Sequence, residues 1–173
     1  DGAGGWNSYT PGNNINTTGH TQVEIQGQRS GCTAGAGCTG TSWVTLALWI
    51  VNPYPALSSS LTPPAICSGS VFSYTPTSGT AGTIFGWTRA TVAGITPAVP
   101  TSGTDNPNET LTNSTTAPVT VRYIYTLTAN GCTNPATFNV DVVVNPTAQV
   151  NQPTSQIICN GTATTGITFG TIN

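Results

Sequence analysis

The chain has 173 residues, enough for one ordinary domain or two small ones. Only 5% of the residues are charged, against roughly 25% in a typical soluble domain, and the net charge is −2. Three arginines and no lysine cannot neutralise a row of phosphates, which excludes nucleic acid and anionic membranes as expected partners. The longest apolar run, residues 43–51, is too short for a membrane-spanning helix of about 20 residues, so no membrane insertion is expected.

The composition favours strands over helices. Strong helix formers are scarce, β-branched residues are abundant, and 20 Gly and 13 Pro separate short segments. Such short segments between Gly, Pro and Asn turns predict an all-β sandwich or barrel.

Two motifs recur with nearly one period. Val51-Asn52-Pro53 returns 93 positions later as Val144-Asn145-Pro146, and Ile66-Cys67-Ser68-Gly69 returns after 92 positions as Ile158-Cys159-Asn160-Gly161. Internal repeats of this kind indicate tandem domains. We predict a complete repeat at residues 55–147, the C-terminal part of another at residues 1–54, and the first strands of a third at residues 148–173.

The two incomplete pieces fit each other. Trp87 follows Cys67 by 20 residues, and Trp6 of a second copy joined after Asn173 would follow Cys159 by the same distance. Either the chain is a window on a long tandem array, or it is a subunit whose C-terminal strand completes its neighbour by strand addition. Both interpretations predict copies or adjacent repeats joined head to tail in a linear filament.

Period-two alternation predicts four strands in the complete repeat, at residues 71–75, 83–89, 119–128 and 137–144. Residues 101–108, rich in Gly, Pro and Asn, are predicted to be a loop. The predicted core positions are Trp87, Tyr123, Tyr125, Phe138, Val140 and Val142.

Five cysteines without metal-ligand spacing indicate disulfides and an oxidising compartment. We predict that Cys67 pairs with Cys132 within the complete repeat. Cys159 occupies the position of Cys67, so its predicted partner is Cys38 of the next unit. A local bridge between Cys32 and Cys38 is the alternative.

The sequence offers little for catalysis, and no enzyme activity and no cofactor are expected. A catalytic triad needs a base, and the one histidine, His20, lies in a polar turn before a predicted strand at residues 22–26. Asp105 lies in the predicted loop at residues 101–108, and Glu109 directly follows it in the same loop. They could form a weak calcium site, but a solvated loop is the favoured interpretation.

One strand has an unusual apolar row. When Val51 is aligned with Val144, the residues Val44, Leu46, Leu48 and Ile50 fall at positions that face outward in the complete repeat. An apolar outer face predicts a contact surface with a neighbouring domain or strand. The alternative is a one-residue bulge that turns this row inward.

Several motifs together resemble a known family. They are the Ile-Cys-x-Gly motif, Phe85-Gly86-Trp87, the stretch 125–132 (YTLTANGC) and Val143-Val144-Asn145-Pro146. These motifs resemble the PKD-like (polycystic-kidney-disease type) repeats of giant secreted surface proteins of Bacteroidota, including gliding-motility adhesins. The resemblance implies immunoglobulin-like β-sandwiches, export to the cell surface and no enzyme activity. The chain departs from acidic PKD domains because Thr88 and Arg89 follow Trp87.

We therefore expect a structural repeat unit of an extracellular cell-surface filament or adhesin stalk. The alternative is a carbohydrate- or protein-binding β-sandwich module of a secreted protein.

Overall fold

A computed structural model describes residues 7–27, 44–99 and 101–172, apart from the side chain of Val44. The chain divides into two compact units, residues 1–53 and 54–173. The predicted all-β class is confirmed, because the described segments contain strands, turns and coil but no helix. Accordingly, none of these segments provides a helix that could cross a membrane.

Within residues 7–27 and 44–53, the first unit contains one antiparallel pair. Strand β1 (Gln22–Gly27) pairs with β2 (Val44–Ile50), and Val23 lies opposite Trp49. The register shifts between Ile25 and Gln26, so that Leu46 is the extra residue of a β-bulge.

The second unit is a sandwich of two sheets. The larger sheet contains β3 (Ile66–Cys67), β5 (Ile84–Arg89), β7 (Thr101–Thr104), β9 (Val119–Ala129), β10 (Cys132–Thr133) and β11 (Phe138–Asn145). Its order is β3-β11-β9-β5-β7, and β10 pairs with the end of β9. The smaller sheet contains β4 (Ser70–Phe72), β6 (Ile95–Thr96) and β8 (Glu109–Asn113) in the order β4-β8-β6.

Strands β9 and β11 lie side by side within the larger sheet, and their side chains alternate strictly between its buried and its solvated face. Val121, Tyr123, Tyr125, Val140 and Val142 are completely buried, and Trp87 on β5 joins them in the core. Phe138 is only partly buried and packs against the edge of this cluster. On the outer face, Arg122 and Asp141 form a cross-strand ion pair at 2.8 Å. One apolar and one solvated face is the pattern expected of an antiparallel sheet in a sandwich.

The smaller sheet covers the buried face of the larger one. Phe72, Ile95 and Leu111 supply its core side chains. The ring of Phe72 stacks on Tyr123 with centroids 5.0 Å apart, and Trp87 meets Tyr123 edge-on at 5.5 Å. Such offset and edge contacts between aromatic rings stabilise a core beyond the area that they bury.

The predicted loop at residues 101–108 is partly wrong, because Thr101–Thr104 forms β7 at the edge of β5. Gly103 lies opposite Trp87, and a Cβ atom at position 103 would come within 2.8 Å of the indole Cζ2. Only a residue without a side chain lets this edge strand lie flat against the indole. The glycine that suggested a loop therefore has a packing role.

A buried ion pair links the two sheets. The Nε of Arg89 on β5 donates to Glu109 Oε2 on β8 at 2.9 Å, and the Tyr123 hydroxyl donates to the same oxygen at 2.6 Å. Arg89 is 1% exposed, and its guanidinium also donates to the carbonyls of Ala90 and Pro97. Burial would raise the pKa of the Glu109 carboxyl, but these hydrogen bonds and the Arg89 charge lower it below the ordinary value.

The chain enters and leaves the sandwich at opposite ends. Near the entrance the Asn134 side chain donates to the carbonyl of Pro55 at 2.8 Å, and the segment then runs parallel to β11 until Ile66 pairs with Val144. We call the end beside Asn134 the proximal end and the end beside Asn145, where β11 finishes, the distal end. Along β9 the two ends are about 33 Å apart, at roughly 3.3 Å per residue.

We expect Gly103→Ala to destabilise the sandwich by about 1–3 kcal/mol, because the new methyl group overlaps a buried indole that cannot move away. Urea unfolding followed by tryptophan fluorescence would measure the change. Gly79→Ala is the matched control, since a Cβ atom there meets nothing within 4 Å. Equal stability of the two variants would contradict the packing role of Gly103.

We expect Glu109→Gln to cost about 3–5 kcal/mol near neutral pH, because it leaves the buried Arg89 charge without its counter-ion. Asp141→Asn, which breaks the exposed pair with Arg122, should cost under about 1 kcal/mol. The Glu109 pKa is lowered on folding, so its contribution is present above the unfolded carboxyl pKa of about 4.3 and is lost as the pH falls through the folded value. The deficit of Glu109→Gln in unfolding experiments should therefore shrink on acidification; a deficit independent of pH would contradict this role.

Candidate functional site

The first unit presents large apolar side chains to solvent. Leu46, Leu48, Trp49 and Ile50 on β2 are 69%, 53%, 49% and 66% exposed. A small two-stranded ribbon cannot bury both of its faces, so these side chains are available for contact.

The predicted single row of Val44, Leu46, Leu48 and Ile50 needs correction. Leu48 pairs with Glu24, and the bulge at Leu46 brings Thr45 rather than Leu46 to the same face. The Thr45 hydroxyl accordingly donates to the Glu24 carboxylate, and this hydrogen bond lowers the pKa of Glu24. A bulge was the alternative prediction, and the structure has one at Leu46. The predicted burial of the row does not follow, because the Leu46 side chain remains exposed.

Near Val51 the strands of the first unit pair as β9 and β11 do in the sandwich, whereas the bulge at Leu46 has no counterpart there. Val23 faces Trp49 as Val121 faces Val142, and Val51 donates its N–H to the Thr21 carbonyl at the place where Val144 pairs with Val119. In the sandwich this inner row is completely buried beneath the smaller sheet. The face of β1 and β2 that carries Val23 and Trp49 thus corresponds to a buried face of the sandwich, but its Trp49 side chain is half exposed.

The segment 148–172 also exposes apolar side chains. It contains one isolated bridge, between Val150 and Thr171, and its large side chains are half to fully exposed: Val150, Ile157, Ile158, Ile167, Phe169 and Ile172. Its turn matches the turn after β3. Gly161 has a φ of 85° where Gly69 has 82°, in the left-handed region that glycine favours.

The predicted Cys67–Cys132 disulfide is wrong in this structure. Cys67 pairs with Asn145 at the distal end, whereas Cys132 pairs with Ala129 at the proximal end. A disulfide requires Cα atoms about 4.4–6.8 Å apart, and the length of β9 separates these two. Cys67, Cys132 and Cys159 are free thiols, two of them exposed. Cys32 and Cys38 lie outside the described residues, so both pairings proposed for Cys38 stay predictions.

The candidate calcium ligands are not arranged as a site. The Glu109 carboxylate is occupied by Arg89 and Tyr123, and its side chain is only 11% exposed, which also overturns its assignment to a solvated loop. Within the described ranges, no three His, Cys, Asp or Glu side chains gather as a metal site would require. His20 lies in an exposed turn.

Two surface depressions of the first unit are open to solvent rather than enclosed. One of about 240 Å³ lies between the loop at residues 9–17 and the exposed Trp49. It is smaller than the roughly 300–1,000 Å³ typical of small-molecule sites. A broader one of about 910 Å³ follows the polar residues 7–24. The exposed strand faces are therefore the better candidates for function.

Comparison with known proteins identifies one similarity. Residues 64–148 match the family model of the PKD-like domain, from just before β3 to just after β11. The PKD-like resemblance is thus confirmed for these residues. No curated protein and no solved structure matches the chain.

We expect Cys67 and Cys132 to react as separate thiols in the folded chain without reductant. Each should take up an alkylating reagent, as read by peptide mass mapping, because the sandwich holds them at opposite ends. Cys132 should react more slowly, since it is less exposed than Cys67. A peptide pair linking Cys67 to Cys132 within one chain would contradict the topology.

Proposed function

We propose that the chain is a structural module of an extracellular filament or adhesin stalk, in which β-sandwich domains join head to tail. The observation that carries the proposal is the path of the chain, which enters the sandwich at Pro55 and leaves it at Asn145 on the opposite end. Domains connected in this way extend a line, and the reach of such an array grows with the number of domains.

Three further features support this function. PKD-like domains are typically extracellular modules, and residues 64–148 match that family. The motif Val51-Asn52-Pro53 after β2 repeats Val144-Asn145-Pro146 at the end of β11, as neighbouring repeats would. Only 5% of the residues of the chain are charged, which suits a spacer better than a site for charged ligands.

The cellular setting belongs to the same proposal. The motifs resemble those of giant secreted surface proteins of Bacteroidota, so we infer export to the surface of such a cell, with gliding-motility adhesins as one class of host protein. Head-to-tail contacts that do not close on themselves produce fibres.

Carbohydrate binding is the second candidate. Trp49 and Tyr9 line the same open depression and are 49% and 40% exposed. Exposed aromatic rings can stack against sugar rings, as they do on other flat apolar faces. Binding to a glycan array that Trp49→Ala abolishes would favour this candidate.

We expect antibodies against the chain to label extended fibres on unpermeabilised source cells in immunogold electron microscopy. Purified fibres should show an axial repeat of about 33 Å per domain, the distance between the two ends of β9 at roughly 3.3 Å per residue. Permeabilised cells are the control and should bind no more antibody. Labelling confined to the cell interior would contradict the proposed function.

A further inference from the structure

We propose that Asn160 is a site of spontaneous deamidation, at which the exposed Asn160-Gly161 pair of the folded chain converts to aspartate and isoaspartate with time. Water is the only co-reactant. The inference goes beyond the proposed function and does not depend on it.

The reaction joins the side-chain amide of Asn160 to the backbone nitrogen of Gly161. This nitrogen attacks the Cγ of Asn160 and forms a cyclic imide, while the side-chain nitrogen leaves as ammonia with the proton that the backbone N–H gives up. Water then opens the ring at one of its two carbonyls, and the product is aspartate or isoaspartate. Because Gly161 has no side chain, nothing attached to it obstructs the attack. Asparagine is also among the residues that are chemically labile in proteins.

The chain contains two Asn-Gly pairs, and both lie in exposed turns. Asn130 and Gly131 have φ angles of 50° and 78°, both positive as in a type I′ hairpin turn. In the other turn Gly161 has a φ of 85° and Asn160 is not in the left-handed region, as in a type II turn. Sequence and exposure alone therefore do not distinguish the two asparagines.

The sandwich holds the turn at Asn130 in place. Cys132 pairs with Ala129 in the ladder between β10 and β9, and Ala129 is buried. Two residues further, the Asn134 N–H donates to the Leu127 carbonyl at 2.9 Å. The imide ring fixes the backbone of the asparagine in a conformation that belongs to neither type of turn. Ring closure at Asn130 would therefore require this ladder to open first.

The turn at Asn160 has much less support. The Thr162 N–H and hydroxyl both donate to the Cys159 carbonyl, at 3.1 and 2.7 Å, and both residues are exposed. The neighbouring side chains of Ile157 and Ile158 are 101% and 48% exposed, so no core holds the turn. Opening it costs little burial of apolar surface.

The two arms of segment 148–172 are also linked loosely. Near their far ends Val150 and Thr171 form an isolated bridge rather than a strand. Between this bridge and the turn, a side chain makes the link: the Gln156 amide accepts from the Thr165 N–H at 2.9 Å and donates to the Thr165 carbonyl at 3.1 Å. A modification that proceeds from an opened form follows the population of that form, so Asn160 should react before Asn130.

The effect of folding on each rate tests the inference. The chain, with its thiols kept reduced, would be incubated in mildly alkaline buffer with and without concentrated urea, and peptide mass mapping would follow both asparagines. In urea we expect the two rates to agree within about threefold, since both sites are unfolded Asn-Gly pairs. Without urea, Asn130 should react at least about tenfold more slowly than in urea, and Asn160 less than about threefold more slowly.

A substitution identifies the reacting residue. Asn160→Gln should remove the fast conversion, because a longer side chain has to close a larger and less favourable ring. Asn130→Gln is the matched control and should leave the conversion at position 160 unchanged.

Three results would overturn the inference. They are equal protection of both asparagines by folding, no conversion at position 160 in the folded chain while the unfolded chain converts, and a fast conversion that persists in Asn160→Gln. None of these measurements involves a fibre, so their failure would leave the head-to-tail function standing, and the immunogold experiment decides that function separately.

Discussion

The need to cover one face of β9 is the constraint on which this sandwich depends. Every second side chain of that strand points into the core, and five of them, from Val121 to Ala129, are buried. The neighbouring strands β5 and β11 extend this face, and the smaller sheet covers it. Where the sheets would otherwise separate, Arg89, Glu109 and Tyr123 join them by charge-assisted hydrogen bonds.

The alternation of side chains was enough to predict the central strands. Residues 83–89, 119–128 and 137–144 appear as β5, β9 and β11 with end shifts of one residue. The short strands β3, β6, β8 and β10 were missed, because two to five residues give too little alternation to detect. Arg89 was also missed, although it falls on the same side of β5 as Phe85 and Trp87. The alternation along β5 could therefore have predicted that Arg89 is buried.

The candidate contact surfaces were only partly predictable. The exposed leucines of β2 were identified by comparing two repeats, but the bulge at Leu46 depends on how β1 pairs and is not written in β2 itself. The cysteine pairing failed for a different reason. Cys67 and Cys132 bracket the domain in the sequence, yet only the order of strands shows that they lie at opposite ends of β9. The polar link from Asn113 to the Val144 carbonyl, at 2.9 Å, likewise joins segments that no local pattern relates.

The segment at residues 55–67 runs parallel to β11, and this arrangement has a mechanical consequence. Tension along a fibre would pull Pro55 and Asn145 in opposite directions, so the two segments would have to slide past each other. Hydrogen bonds hold the first of these segments along its whole length. The Asn134 side chain donates to the Pro55 carbonyl, Asp141 N–H donates to the Leu61 carbonyl, and Ser68 N–H donates to the Asn145 carbonyl. Such links are loaded in shear and must break together, whereas a hairpin pulled from one end opens bond by bond. Because resistance to force is set by the unfolding rate, this strand arrangement suits a domain that bears load.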